Sequence, residues 1–208
     1  MDGSHQIIVV ATITLLAVIS PGPDFAVITK NSIMFGRKSG IATAFGIATG
    51  VCVHITYTLL GLGYLLAEAV WLLEVMRYGG AAYLIWLGIS AFRTKNTHEL
   101  EAPKTPDIQH KTDFQNFRNG FVCNALNPKT ALFFIALFTQ VVGTDTPLII
   151  QAGFGLFIAL AHFVWFAIVA LFLTHNRFKQ FFERAKTSIE RIVGGCLVGL
   201  GLKLAITE

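Results

Sequence analysis

Charge is scarce in this sequence. Only 13% of the 208 residues are Asp, Glu, Lys or Arg, about half the 25% typical of a soluble globular domain. So few charges cannot cover a water-exposed surface, and 54% hydrophobic residues exclude disorder. Cysteine is scarce too. Cys52, Cys123 and Cys196 all fall in apolar runs and no Cys-x-x-Cys occurs, so no disulfide framework or zinc site is indicated and the thiols read as small hydrophobes. No Gly-x-Ser-x-Gly and no His-Glu-x-x-His is present, and His98-Glu99 lacks a second histidine. An intramembrane enzyme would have no recognisable catalytic constellation. The opening Met-Asp-Gly-Ser-His has neither the basic segment nor the cleavage site of a signal peptide, and lipid-anchoring motifs are missing.

What charge there is comes in clusters. Residues 40–67 and 146–176 contain no Asp, Glu, Lys or Arg. A hydrocarbon core about 30 Å thick needs about 20 apolar residues in a helix. Four further segments qualify with one or two interior charges: 7–35, 69–92, 119–142 and 189–206. The pattern predicts an all-α integral membrane protein with six transmembrane helices. Strict apolar/polar alternation is missing, which disfavours a transmembrane barrel.

Thirteen of the sixteen Lys and Arg residues fall on one side of such a chain. They are Lys30, Arg37 and Lys38 after the first span, Arg93 to Arg118 after the third, and Arg177 to Arg191 after the fifth. Positive residues stay cytoplasmic, so both termini are expected outside, in a multi-pass protein of a bacterial-type cytoplasmic membrane. The basic balance then reflects orientation in the lipid bilayer. A nucleic-acid partner would want basic residues on one folded face with stacking aromatics, and here they divide among loops.

The hydrophilic stretch 93–118 separates residues 1–92 from residues 119–208, three spans in each. An odd number of spans per half makes the second half enter from the opposite side, as in the inverted repeats of transporters. Ser20-Pro21-Gly22-Pro23-Asp24 in the first span falls on Leu126-Asn127-Pro128-Lys129 in the fourth. Gly46-Ile47-Ala48 similarly falls on Gly153-Phe154-Gly155, and Leu87-Gly88 on Leu200-Gly201. Proline inside a helix removes a hydrogen bond and clashes with the preceding turn. The first and fourth helices are therefore expected to be interrupted at Pro21-Gly22-Pro23 and at Asn127-Pro128. Matched interruptions are the best sequence pointer to a transporter's binding site. Ordinary packing kinks are the alternative.

Each interruption carries a charge. Asp24 precedes Arg37 by thirteen residues and Lys129 follows Arg118 by eleven, which at 1.5 Å per residue puts both about 15–20 Å from the cytoplasmic side. A lone charge there costs about 2.5–3.5 kcal/mol on insertion scales. A zwitterionic amino acid fits the pair, its ammonium on Asp24 and its carboxylate on Lys129 or a half-helix N-terminus. A buried structural ion pair is the bland alternative. Asp24, His54 and His162 are the candidates for carrying a coupling proton; the histidines lie in the charge-free runs at nearly equivalent places, where neutral, hydrogen-bonded imidazoles are the plainer reading. Gly40, Gly46 and Gly50, and Gly195 with Gly199, make small-residue faces that serve packing within the chain or a homodimer.

These residues resemble the lysine exporter (LysE) superfamily, in particular its RhtB-type branch. The resemblance spans nearly the whole chain and rests chiefly on Ser20-Pro21-Gly22-Pro23-Asp24 and on Asn127-Pro128-Lys129-Thr130-Ala131-Leu132-Phe133-Phe134, with the glycines 36, 40, 46 and 50. It implies export of amino acids or derivatives driven by the proton gradient, with no organic cofactor, no metal and no enzymatic activity. The acidic residue at position 24 is similar to threonine-exporting members, which favours threonine- or homoserine-like neutral substrates over basic ones. An accessory membrane subunit would leave the matched proline–charge interruptions without a purpose.

Overall fold

A computed structural model of the chain describes residues 3–68, 112–142 and 146–173, with scattered helical positions between 78 and 89 and between 188 and 202. Every regular element among the described residues is helical: α1 (Gly3–Ile19), α2 (Pro23–Glu68), α3 (Asp113–Ala125), α4 (Pro128–Leu137) with a π-helical continuation at Phe138–Val142, and α5 (Leu148–Leu173). Apart from the scattered positions, the expected third and sixth spans lie outside the described residues, as does the hydrophilic segment up to residue 111.

The first expected span is broken where its prolines stand. Ser20 N–H makes the last bond of α1, to Leu16 (3.1 Å), and Gly22 C=O accepts the first bond of α2, from Ala26 (3.0 Å). Ser20 and Gly22 each precede a proline, which disfavours helical backbone at both. Pro23 then opens α2 at the position where its missing N–H costs nothing.

The second interruption follows the same rules. Asn127 caps α4: its backbone is extended (φ −77°, ψ 110°), its side chain accepts from Lys129 N–H, and Pro128 is the first helical residue. α3 and α4 meet at 52°. α3 begins at Asp113, six residues before the expected start of the fourth span. The cause is a capping box, Thr112 with Gln115, whose side chains and backbone N–H groups bond reciprocally. Lys38 Nζ reaches Asp113 at 2.7 Å and ties this end of α3 to α2.

A second difference lies between the first two expected spans. Instead of a loop there is a single non-helical residue, Gly36 (φ 83°, ψ −178°), across which two helices join as α2. A positive φ suits glycine and strains any residue with a Cβ. Among the described residues the Pro23–Gly61 stretch of α2 and the whole of α5 are long and apolar enough to cross a membrane, and the bent pair α3–α4 makes a third if it is one span.

α2 packs against α3 at backbone distance. A Cβ at Gly46 would collide with the Phe117 carbonyl, one at Gly120 with the Thr43 carbonyl, and one at Gly50 would sit 2.9 Å from Asn124 Cβ. Gly40 is covered by Ser32 and by Ala170 of α5. These three α2 glycines are thus used for packing within the chain. Gly195 and Gly199 are helical and exposed, and a Cβ at Gly199 would meet no described atom within 4 Å.

Two apolar clusters form the core. One joins Val10, Ile13 and Ala17 of α1, Phe133, Phe134 and Leu137 of α4, and Phe154, Ile158 and Ala159 of α5. The other joins Phe25, Ile28, Ala44 and Ile47 of α2 to Phe166, Val169, Ala170 and Leu173 of α5. Along α5 the first cluster ends at Ala159 and the second starts at Phe166. His162 falls between them.

Candidate functional site

The two interruptions converge in that gap. Asp24, in the first turn of α2, is 6% exposed. Its Oδ2 accepts from Asn124 Nδ2 at 2.9 Å and from Asn127 Nδ2 at 3.0 Å. Asn127 therefore works with both ends of its side chain, Oδ1 capping α4 through Lys129 N–H (3.0 Å) and Nδ2 holding Asp24. Asn124 Nδ2 also reaches Thr130 Oγ1 at 3.3 Å. Asp24 Oδ1 and Asn124 Oδ1 are buried with no hydrogen-bond donor. Two acceptors without a donor, one of them on a carboxylate, leave the cluster short of positive hydrogen-bonding groups.

Lys129 lies across from this cluster. Its Nζ donates to the Ser20 carbonyl at 2.6 Å. That carbonyl lost its helical partner where α1 stops, so the ammonium fills a gap that the interruption itself opens. The aliphatic stem passes over Gly22, where an added Cβ would sit 3.2 Å from Lys129 Cδ. Among the described residues no ion pair joins Asp24 to Lys129. The acid and the amine are therefore held separately, each by neutral groups.

Both charged side chains line one cavity of about 20 Å³, along with Gly22, Asn127, Thr130 and His162. Apolar Ala17, Val18, Phe25, Phe133 and Phe166 complete its wall. That volume holds a water molecule and nothing as large as an amino acid.

The two histidines differ. His54 bonds through both ring nitrogens, Nε2 to the Asn124 carbonyl and Nδ1 to the Tyr57 hydroxyl, each at 2.8 Å. It stacks on Phe134 at 5.8 Å between ring centroids and is not among the cavity's lining residues. His162 bonds through Nδ1 to the Ile158 carbonyl (2.8 Å) and faces the cavity.

The structure thus brings together Asp24, Lys129, Gly22, Asn127 and His162 around the cavity. Pro21, Pro23 and Pro128 set the backbone at its edge. Asn124 and Thr130 are additions. Asn124 stands three residues before Asn127, and the only sequence signal for it is a second carboxamide one turn ahead of the interruption. Among the described residues no group of three or more His, Cys, Asp or Glu gathers as a metal site.

The family model for LysE type translocators matches residues 15–208. The chain is 28% identical over 199 residues to a threonine efflux protein of Salmonella typhi, covering 96% of this chain and 97% of that one. To the threonine efflux protein of Escherichia coli K12 it is 27% identical over the same length, with the same coverage. A homoserine/homoserine lactone efflux protein of Salmonella typhimurium is 33% identical over 140 residues, 67% of this chain and 66% of that one. No solved structure matches.

Proposed function

Since the chain belongs to the LysE type translocator family, we propose that it is a secondary transporter, not an enzyme, and that it exports amino acids or close derivatives. Threonine- and homoserine-like neutral amino acids are the favoured substrates, after the names of its relatives; basic amino acids are the second choice. Export is by proton antiport across the cytoplasmic membrane, through six spans arranged as inverted halves, residues 1–92 and 119–208 around a cytoplasmic segment 93–118, with both termini outside.

One observation carries the reading. Two proline-interrupted helices place an acid and an amine on one cavity, with no ion pair between them among the described residues. Buried charges cost several kcal/mol unless they are matched (about 2.5–3.5 each on insertion scales). A zwitterion matches both at once. Its ammonium takes the open acceptors around Asp24, and its carboxylate takes Lys129 Nζ, with the N-terminal dipole of α4 behind it. Because the cavity's volume is only about 20 Å³, binding requires a wider state, as alternating access supplies.

The test is efflux from cells loaded with threonine, homoserine or lysine, with and without a collapsed proton gradient. Wild-type efflux is expected to stop when the gradient collapses. Asp24→Ala and Lys129→Ala are expected to abolish it while protein persists in the membrane; wild-type export by both variants overturns the site. Reporter fusions at the C-terminus test orientation, and a cytoplasmic signal contradicts six spans with both ends outside.

A further inference from the structure

We propose that His162 carries the coupling proton, and that it does so by competing with the substrate's ammonium for the cavity it shares with Asp24. The inference rests on the export reading above and names the group that links export to protons.

The hydrogen bonds separate the three candidates. His54 has both ring nitrogens engaged, against the Asn124 carbonyl and the Tyr57 hydroxyl, and no edge on the cavity. Its ring braces the second interruption. Asp24 is gripped at Oδ2 by two carboxamide NH₂ groups, which fixes an acceptor for an ammonium. His162 differs from both. Its Nδ1 faces a carbonyl, which can only accept, so Nδ1 carries the hydrogen and Nε2 keeps the free lone pair of the neutral ring. Among the described residues no group bonds to Nε2, and the ring lines the cavity.

Among the described residues the charges that reach His162 are Asp24 of α2 and Lys129 of α4, with the His54 ring of α2 behind them. The wall formed by Ala17 and Val18 of α1 and by Ser20 just past its end has no titratable side chain. Lys129 donates to the Ser20 carbonyl and keeps its charge for a carboxylate. Asp24 Oδ1 and Asn124 Oδ1 are the open acceptors of the cluster, and they serve one further cation at a time. A proton arriving from the acidic side binds the Nε2 lone pair, and the imidazolium becomes that cation. An amino acid arriving from the other side brings its own ammonium to Asp24. Nε2 then gives its proton to water and the ring returns to neutral. Two cations that exclude each other at one carboxylate are sufficient for exchange of one for the other, and the exclusion is reciprocal.

The experiment uses the full chain in proteoliposomes with labelled threonine and homoserine. Wild-type vesicles with an acidic lumen are expected to accumulate substrate above its outside concentration. In counterflow without a gradient, wild-type KM should climb as the pH falls, approaching about tenfold per pH unit in the competitive limit. His162→Gln, which cannot bind a proton in this range, is compared in the same counterflow assay. It should show a KM flat with pH and lose acid-driven accumulation. His54→Gln should retain that accumulation. Acid-driven accumulation by His162→Gln at the wild-type level overturns the proposal. So does a wild-type KM that does not move with pH, a measurement that needs no variant and stands even if substitutions at 162 fail to fold. Counterflow by neither wild type nor variant, for any substrate tried, sinks the export reading itself, whereas wild-type exchange with unaltered coupling in His162→Gln sinks only this inference.

Discussion

At Asp24 a single carboxylate depends on two carboxamides from the opposite interruption. Asn124 contributes one of its two donors, and a hydrogen bond to a charged group is worth about 1.5–3 kcal/mol. Asn124→Ala is therefore expected to weaken apparent substrate affinity roughly ten- to hundredfold, with little change in maximal rate. Counterflow rates against substrate concentration separate the two quantities. The backbone carbonyl that holds His54 survives this substitution, so the second interruption retains its brace. Asp24, Lys129 and Asn127 were legible in the sequence because proline and charge coincide there. Asn124 was not, because what ties it to the cluster is a contact across 100 residues of chain. No local pattern encodes that contact. The same holds for the histidines: two equivalent-looking residues in the sequence are distinguished only by what their nitrogens face.

At the scale of elements, the glycines divide by what stands opposite them. The Gly46 side of α2 meets main chain of α3, which cannot swing aside as a side chain can. Gly46→Val should cost at least the 1–3 kcal/mol (about) typical of overpacking, seen as a lower thermal midpoint in detergent. Gly153, on α5, has no described atom within 4 Å of an added Cβ. Gly153→Ala should be neutral or should gain roughly 0.5–1 kcal/mol from reduced backbone freedom. Equal losses at both positions would contradict close α2–α3 packing. Gly36→Ala should cost roughly 1–2 kcal/mol because its φ of 83° is left-handed backbone. The small-residue stripe was readable from spacing alone, whereas its partner helix was not. The Thr112–Gln115 capping box was present in the sequence too, but polar neighbours concealed it within a segment read as loop. Gly36 was placed in a connection between spans, and the structure compresses that connection into one residue.

At the scale of the whole molecule, the cavity lies between two apolar clusters along α5. The cluster around Val10, Ile13, Phe134 and Phe138 is closed over by a polar latch at the N-terminal end of α1. Gln6 Nε2 donates to the carbonyls of Val141 and Val142, each at 2.9 Å, and to Thr146 Oγ1 at 3.2 Å. Val141 and Val142 end the π-helical continuation of α4, and the carbonyls that end a helix need partners from outside it. The side chain of α1 supplies them, and so joins the far ends of the two interrupted helices. Opening on this side must break those bonds, worth about 0.5–1.5 kcal/mol each in net terms. Gln6→Ala should therefore shift the molecule toward the state open on the N-terminal side, by roughly tenfold if about 1.4 kcal/mol is lost. A reporter is available in the cavity wall. With Cys52, Cys123 and Cys196 replaced and Ala17→Cys introduced, a water-soluble maleimide added on the N-terminal side should react about tenfold faster in the Gln6→Ala background, the same factor as the shift in population. An unchanged rate would mean that the apolar cluster alone holds this side shut and that Gln6 merely caps a helix end.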